Sequence, residues 1–350
     1  VDINTIKTYH KKRFWAAILV VQILLFFIFS KLRFMISAFE SFFEIQKKIH
    51  QVLFSWLPFS FGDLIYILLG ISLFYLMIKS FKKKKSHGSV LRILILINIF
   101  YFTYQIFWGM LYFQKPIIAK LSETEITLKK KKTLALKYLE KCKQTRALVK
   151  EVNGIFKLSD INNIQSEILN QQTKLPSFIS NKKANAVNSF KPSLFKNVMN
   201  FTGILGYYNP FTAEAQYNAE LPSSYLPFTL AHESSHQLGF AREQEANFIG
   251  YLIGVNSSNV ELRYSTECFT LKSLLNSIIY EDEKFVADIL ESYSEGMKRD
   301  RAYEKQFVLK HQGWLNDFFG FTNNLFLKSN QQEGSVTYSY FIDLLIRYEK

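Results

Sequence analysis

Residues 231–247 read AHESSHQLGFAREQEAN and concentrate most of the chain's chemistry. His232 and His236 stand four apart, so on a helix both imidazoles project from one face about a turn apart and can bind one metal ion. Glu233, beside the first histidine, would flank the ion's open position. There a carboxylate can take a proton from bound water and pass it to a leaving amine. Zn2+ is the ion expected for such donors, and it lowers the pKa of its water toward about 7. A catalytic site of this kind has three protein ligands and one open position, so a third ligand must arrive from nearby in space.

Gly239 followed by FAR puts Arg242 where the metzincin pattern HExxHxxGxxH carries its third histidine. Arginine does not bind zinc, which excludes that pattern. The stretch EQEAN resembles the ExxAD form of the second motif of gluzincin peptidases, in which the third ligand is a glutamate and an Asp or Asn one turn later orients a histidine. That resemblance implies Glu243 as ligand and Asn247 as its supporting residue. If REQEANFIGYLIG is one helix, Glu243, Ala246, Asn247, Gly250 and Gly254 share a face whose small residues allow close approach to the first helix. Glu245 falls about 200° around from Glu243, so the two cannot play the same role. Glu245 is expected to be an exposed first-turn acid favoured by the helix dipole, and it is the alternative ligand.

These side chains need elements to hold them. Pro227 suits the start of the ligand helix and Gly239 its end. Upstream, SLFKNVMNFTGILGYYNPFTAEAQYNAELP predicts short strands and turns, with Phe211–Tyr217 as a strand offering its edge to a substrate backbone. From Thr133, the positions Leu134, Tyr138, Cys142, Thr145, Val149 and Val152 predict one helix stopping at Asn153 and Gly154. Residues 160–200, rich in Asn, Gln, Ser and Lys, predict loop with short elements. Beyond Asn256 the pattern is helical, with Leu271, Leu274, Leu275 and Ile278 toward the core, then one or two amphipathic helices and a C-terminal docking helix in VTYSYFIDLLIRY. Tyr264 and His311 are candidate oxyanion donors without motif support, the alternative for each being a packing role.

The first third of the chain is of another kind. Nearly all uninterrupted apolar sequence in the 350 residues lies before Tyr112. Three stretches, about residues 14–30, 54–78 and 90–113, are long enough to cross a hydrocarbon core of about 30 Å. The first has a basic lead (Lys11, Lys12, Arg13) but no small-residue cleavage site after it, which predicts an uncleaved span. KSFKKKKSHGSVLR, between the second and third, is the densest basic loop and is expected on the cytoplasmic side. Three crossings then leave the N-terminus inside and everything after Lys115 outside. Between the first two spans, residues 35–58 could form an amphipathic helix in the interface.

The net charge of +14 comes largely in short lysine runs without a nucleic-acid recognition motif, so no nucleic-acid partner is expected. Two cysteines, Cys142 and Cys268, define no disulfide framework; they pair or are two buried thiols.

The stretch NPFTAEAQYN…LPFTLAHESSHQLGFAREQEANFIGYL, with the closing FLKSNQQEGSVTYSYFIDLLIRY, resembles the bacterial membrane proteins grouped as domain of unknown function 3810. That resemblance implies a multi-span anchor and a zincin-like domain. The expectation is therefore a mostly α chain: a three-helix transmembrane anchor over 1–114, then over 115–350 a mainly helical, extracytoplasmic metallopeptidase domain with a short β element before the HExxH helix. Its expected partners are the lipid bilayer of the bacterial inner membrane, one zinc ion and a peptide or protein substrate. The alternative is a noncatalytic envelope protein in which zinc joins two helices or binds a partner.

Overall fold

The computed structural model describes residues 3–82, 86–179, 182–313 and 337–349. Residues 83–85 of the basic loop and the closing stretch 326–336 lie outside the described residues. The chain is mostly α-helical, with three helices near the N-terminus long and apolar enough to cross a membrane, over Lys11–Phe29, Phe61–Ser80 and Gly88–Phe107. They belong to α1 (Ile3–Phe29), α3 (Phe61–Ser80) and α4 (Ser86–Phe107), and α1 and α3 both pack on α4.

Two of the expected span limits are corrected. The second span starts at Phe61, not near 54, because residues 54–60 end one helix and turn into the next. Ser60 caps α3, its hydroxyl accepting from Asp63 N–H at 3.1 Å. The third ends at Phe107, because Gly109–Phe113 forms a 3-10 turn whose Met110, Leu111 and Tyr112 are buried.

Between the first two candidate spans lies α2 (Arg33–Phe54), amphipathic as its sequence predicts. Its polar face is not solvated, however: Gln46, Lys47 and Gln51 are buried against the rest of the protein.

The remainder is built around α8 (Leu226–Gln237), α9 (Glu243–Val255) and α10 (Val260–Ile278), with α5 (Leu128–Arg146) against α10. The expected helix from Thr133 is displaced. Thr127 caps it at Lys130 N–H, and it ends at Arg146. Asn153 (φ 53) and Gly154 (φ 76) instead turn the hairpin of β1 (Glu151–Val152) and β2 (Ile155–Phe156), both in the left-handed region that Asn and Gly enter most readily.

The loop expected over 160–200 holds α6 (Ile161–Gln172), capped by Asp160, then β3 (Phe190–Pro192) and α7 (Lys196–Thr202). Its polar composition misled because Gln165, Gln171, Gln172 and Asn200 are buried. A three-stranded sheet joins β3 to β4 (Gly206–Asn209) and β5 (Glu214–Tyr217) in the order β3-β5-β4. β5, in the segment expected to present an edge, is the central strand, paired parallel to β3 and antiparallel to β4. The edge beside the ligand helix belongs to β4.

After α10 come α11 (Glu283–Glu291), α12 (Glu295–His311) and α13 (Thr337–Tyr348), the last docked on α9 and α10 through Phe341, Leu344 and Leu345. Leu271, Leu274, Leu275 and Ile278 lie in this core, as expected. Cys142 and Cys268 are buried free thiols.

Candidate metal centre

The local sequence accounts for the helix that carries the histidines. Pro227 occupies the first turn of α8, where a missing N–H costs nothing, and Phe228 N–H donates to Ser265 Oγ at 3.0 Å. Ser234 and Ser235 donate back to Ala231 O at 2.8 and 2.9 Å, away from the ligand face. Gly239 closes the helix at φ +91, and a Cβ there would also lie 2.7 Å from the Phe43 ring. This cap turns the next carbonyl, Phe240 O, back onto His236 Nδ1 at 2.6 Å.

α9 starts at Glu243 and runs back along α8. The small-residue face works as its spacing predicts: a Cβ on Gly250 would stand 3.1 Å from His232 N. The close approach brings Asn247 Oδ1 to 2.8 Å from His232 Nδ1. Both Nδ1 atoms therefore act as N–H donors, which leaves each Nε2 as the ring atom that binds a proton or a metal ion. The two Nε2 atoms face one carboxylate, His232 to Glu243 Oε2 at 3.2 Å and His236 to Glu243 Oε1 at 3.6 Å. One ligand atom from each of His232, His236 and Glu243 lies within 4.8 Å of the others. Two imidazole nitrogens and a carboxylate oxygen, with the tautomers held from behind, suit a borderline divalent ion such as zinc.

Charge at this point is strongly coupled. Burial opposes a proton on His236, yet Glu243 beside it raises the imidazole to about 9. Enclosure also disfavours a charge on Glu243, but His236 and His232 hold that carboxyl well below the usual range. Glu233, 4 % exposed, is pushed by burial up to about 7 against the pull of both histidines. Its Oε2 is buried without a hydrogen-bond partner. Glu233 faces the start of β4: a Cβ on Gly206 would lie 2.8 Å from Glu233 Oε1, so only glycine lets the edge strand come this near.

Glu245 is not an exposed acid, which corrects the expectation for it, and it lies outside the His232–His236–Glu243 group. It is 5 % exposed and accepts from Ile117 N–H at 2.8 Å and from Arg242 Nη1 at 3.2 Å. Arg242 also donates to Gln114 O at 2.7 Å, and Gln114 Nε2 to Gly239 O at 2.9 Å. These bonds latch the segment after α4 onto the corner between α8 and α9.

The oxyanion candidates are not brought to the histidines. The Tyr264 hydroxyl donates to Asp300 Oδ2 at 2.6 Å. His311 Nδ1 bonds Phe307 O at 2.8 Å, and its ring lies against Phe201. Tyr264 is thus tied to a neighbouring helix through Asp300, and His311 to its own helix through Phe307 O and to α7 through the Phe201 ring.

Trp108, the first residue after α4, was not foreseen at the site. Its ring meets His236 edge-on with centroids 5.8 Å apart and packs against Tyr208 of β4 at 4.6 Å. A tryptophan at the end of an apolar span is the only signal of it in the sequence, and that reads equally as an interface anchor.

No curated protein and no solved structure matches the chain. A family model, described as Protein of unknown function (DUF3810), matches residues 39–346, from within α2 to within α13 and across the whole candidate site. By that match the chain belongs to this family, as its resemblance implied.

Proposed function

We propose that this protein is a membrane-anchored, zinc-dependent peptidase with His232, His236 and Glu243 as ligands and Glu233 as general base. The observation that carries the reading is the unequal pairing of the polar atoms. Both Nδ1 atoms are occupied from behind, both Nε2 atoms converge on Glu243, and the adjacent Glu233 keeps a buried oxygen without a partner. A zinc ion held there would supply Lewis acidity and a water acidified toward neutral pH.

Glu233 takes the proton of the attacking water and delivers it to the amide nitrogen. Water adds to the carbonyl carbon, the C–N bond breaks, and a carboxylate and an amine leave. The outer edge of β4, beside Gly206, offers backbone groups that can align an extended substrate. Asn247 and Phe240 O keep the two imidazoles in one tautomer.

The basic loop between α3 and α4 supports a cytoplasmic position for that end of the spans. The N-terminus then lies inside and the site on the outer face of a bacterial inner membrane. Glu233→Gln tests the chemistry. The variant is expected to retain one zinc per chain while peptide hydrolysis falls by about 10²–10⁴-fold, the usual range for losing a general base. Hydrolysis at the wild-type rate with zinc bound would remove Glu233 from the mechanism.

A further inference from the structure

We infer that the substrate is a polypeptide anchored in the same bilayer, cut within about the first seven residues outside its membrane-embedded part; this rests on the peptidase reading above. The inference starts from α2. This helix is 22 residues long, about 33 Å, and is joined to α1 by residues 30–32 and to α3 by residues 55–60. With such short joins to two spans, both of its ends lie at the same membrane surface and the helix runs along it.

Its two faces differ sharply. Phe42, Ile45, Ile49, Val52 and Leu53 form one stripe and are 40–62 % exposed, an apolar surface continuous with the spans. The opposite face is buried under the rest of the protein: Lys47 Nζ donates to Lys183 O at 2.9 Å and Gln46 Nε2 to Pro210 O at 2.9 Å. The bilayer fits the first face; the second carries the candidate centre.

The distance from stripe to centre is short. Phe43, on the buried face, lies 5.9 Å from Trp108, and Trp108 lies 5.8 Å from His236, each between ring centroids. One helix of about 10 Å and one ring thus separate the histidine from the apolar stripe. Adding the two ring steps to the helix puts the centre at most about 22 Å from hydrocarbon, above the headgroups, a gap that about seven residues of extended chain span.

The edge strand is held at the same level. The Tyr207 hydroxyl of β4 bonds Asp63 in the first turn of α3, and Asp63 also accepts from Leu194 N–H at 2.7 Å. Glu214 of β5 accepts from Gly62 N–H at 2.7 Å and Phe61 N–H at 3.1 Å, closing the N-terminus of the same span. Lys191 of β3 donates to Ser55 O at 2.7 Å, just beyond α2. The sheet therefore has a fixed height over the membrane, and a cleavage site far from its own anchor would have to fold back to reach it.

The test uses the full chain, loaded with zinc, in phosphatidylcholine liposomes. Single-span peptides in the same liposomes carry a degenerate twelve-residue reporter outside the membrane, preceded by stiff polyproline spacers of 0, 5, 10 or 20 residues. The same reporters are also supplied as soluble peptides. Mass spectrometry is expected to find cleavage with no spacer or the shortest one, falling more than tenfold at ten prolines, about 31 Å, and beyond. Cleavage equal across the series, best at twenty prolines, or as fast for soluble reporters at matched bulk concentration would overturn the inference and leave the peptidase reading intact. No hydrolysis of any reporter, anchored or soluble, would remove the peptidase reading and this inference with it.

Discussion

Two buried polar clusters flank the α8–α10 core, and they differ in how completely they are paired. Around Asp300, which is 4 % exposed, each contact closes on itself: Arg146 Nε donates at 2.7 Å, Phe156 N–H at 2.8 Å and the Tyr264 hydroxyl at 2.6 Å. Around Glu233 the histidines are held from behind, both Nε2 atoms converge on the one Glu243 carboxylate, and Glu233 Oε2 is buried without a partner. Both clusters bury acids, and both contain groups whose protonation is strongly shifted. Burial and a shifted pKa therefore do not separate a candidate site from a structural ion pair. Unused bonding capacity aimed at one point does.

The difference can be broken by removing an acid from each cluster. Asp300→Ala leaves Arg146 and Tyr264 buried without their acceptor and is expected to cost about 3–5 kcal/mol of unfolding free energy. The hydrolysis rate per folded molecule should stay unchanged, as measured by denaturant unfolding in detergent beside a peptide assay. Glu233→Gln should do the opposite, since it removes a charge that burial disfavours from a carboxyl whose Oε2 has no partner, a change expected to be neutral or stabilising. If Glu233→Gln unfolded the protein as readily as Asp300→Ala, the contrast between the clusters would disappear.

A smaller effect sharpens the role of the supporting bonds. Asn247→Ala frees His232 Nδ1 and is expected to weaken zinc affinity about 10–100-fold in competition with a chelator, with little change in melting temperature. An unchanged affinity would show that the tautomer of His232 is set by something other than Asn247.

The smallest effect lies outside both clusters. Burial raises the Glu167 carboxyl, but bonds from Gln171, Ser257 and Ser258 outweigh it and hold the group at about 2, from an ordinary 4.5. A lowered folded-state value contributes stability that is fully present above about pH 4.5 and lost as pH falls toward 2. Because solvent screens this partly open group, the contribution is of order 1 kcal/mol or less. Glu167→Gln should accordingly lower the melting temperature slightly at pH 7, with a gap that shrinks as pH falls and is largely gone near pH 2. An equal gap at both pH values would assign the difference to packing.

Much of the candidate centre was legible because its geometry is local. His232, Glu233 and His236 lie within two turns of one helix, and Glu243, Asn247 and Gly250 share one face of the next, so periodicity relates the members of each set, and the resemblance of EQEAN to the second gluzincin motif relates the two sets. Glu245 was misread because its partner, Ile117 N–H, lies 128 residues away, and no pattern along α9 announces it. The stretch 160–200 was misread for the same reason, as polar side chains in it are buried by distant partners, Asn185 and Ser189 both against Gln237. The displaced strand edge came from pairing order, which a single segment does not encode.

The sequence by itself determined the apolar helices that can cross a membrane, the mostly helical domain after them, and the pairing of two histidines with a glutamate and an asparagine one turn apart. The first two follow from hydropathy and from the 3.6-residue repeat, both properties of neighbours along the chain, and the third from that repeat together with the resemblance of EQEAN to the second gluzincin motif. Only the tertiary structure decided that Glu245 is a latch and Tyr264 a buried partner of Asp300, and that β4 is the edge. It alone decided that Trp108, at the end of a span, stands against His236. Each of these depends on which distant groups the fold brings within bonding distance, where the energy of desolvation and pairing is set by surroundings that no local stretch contains.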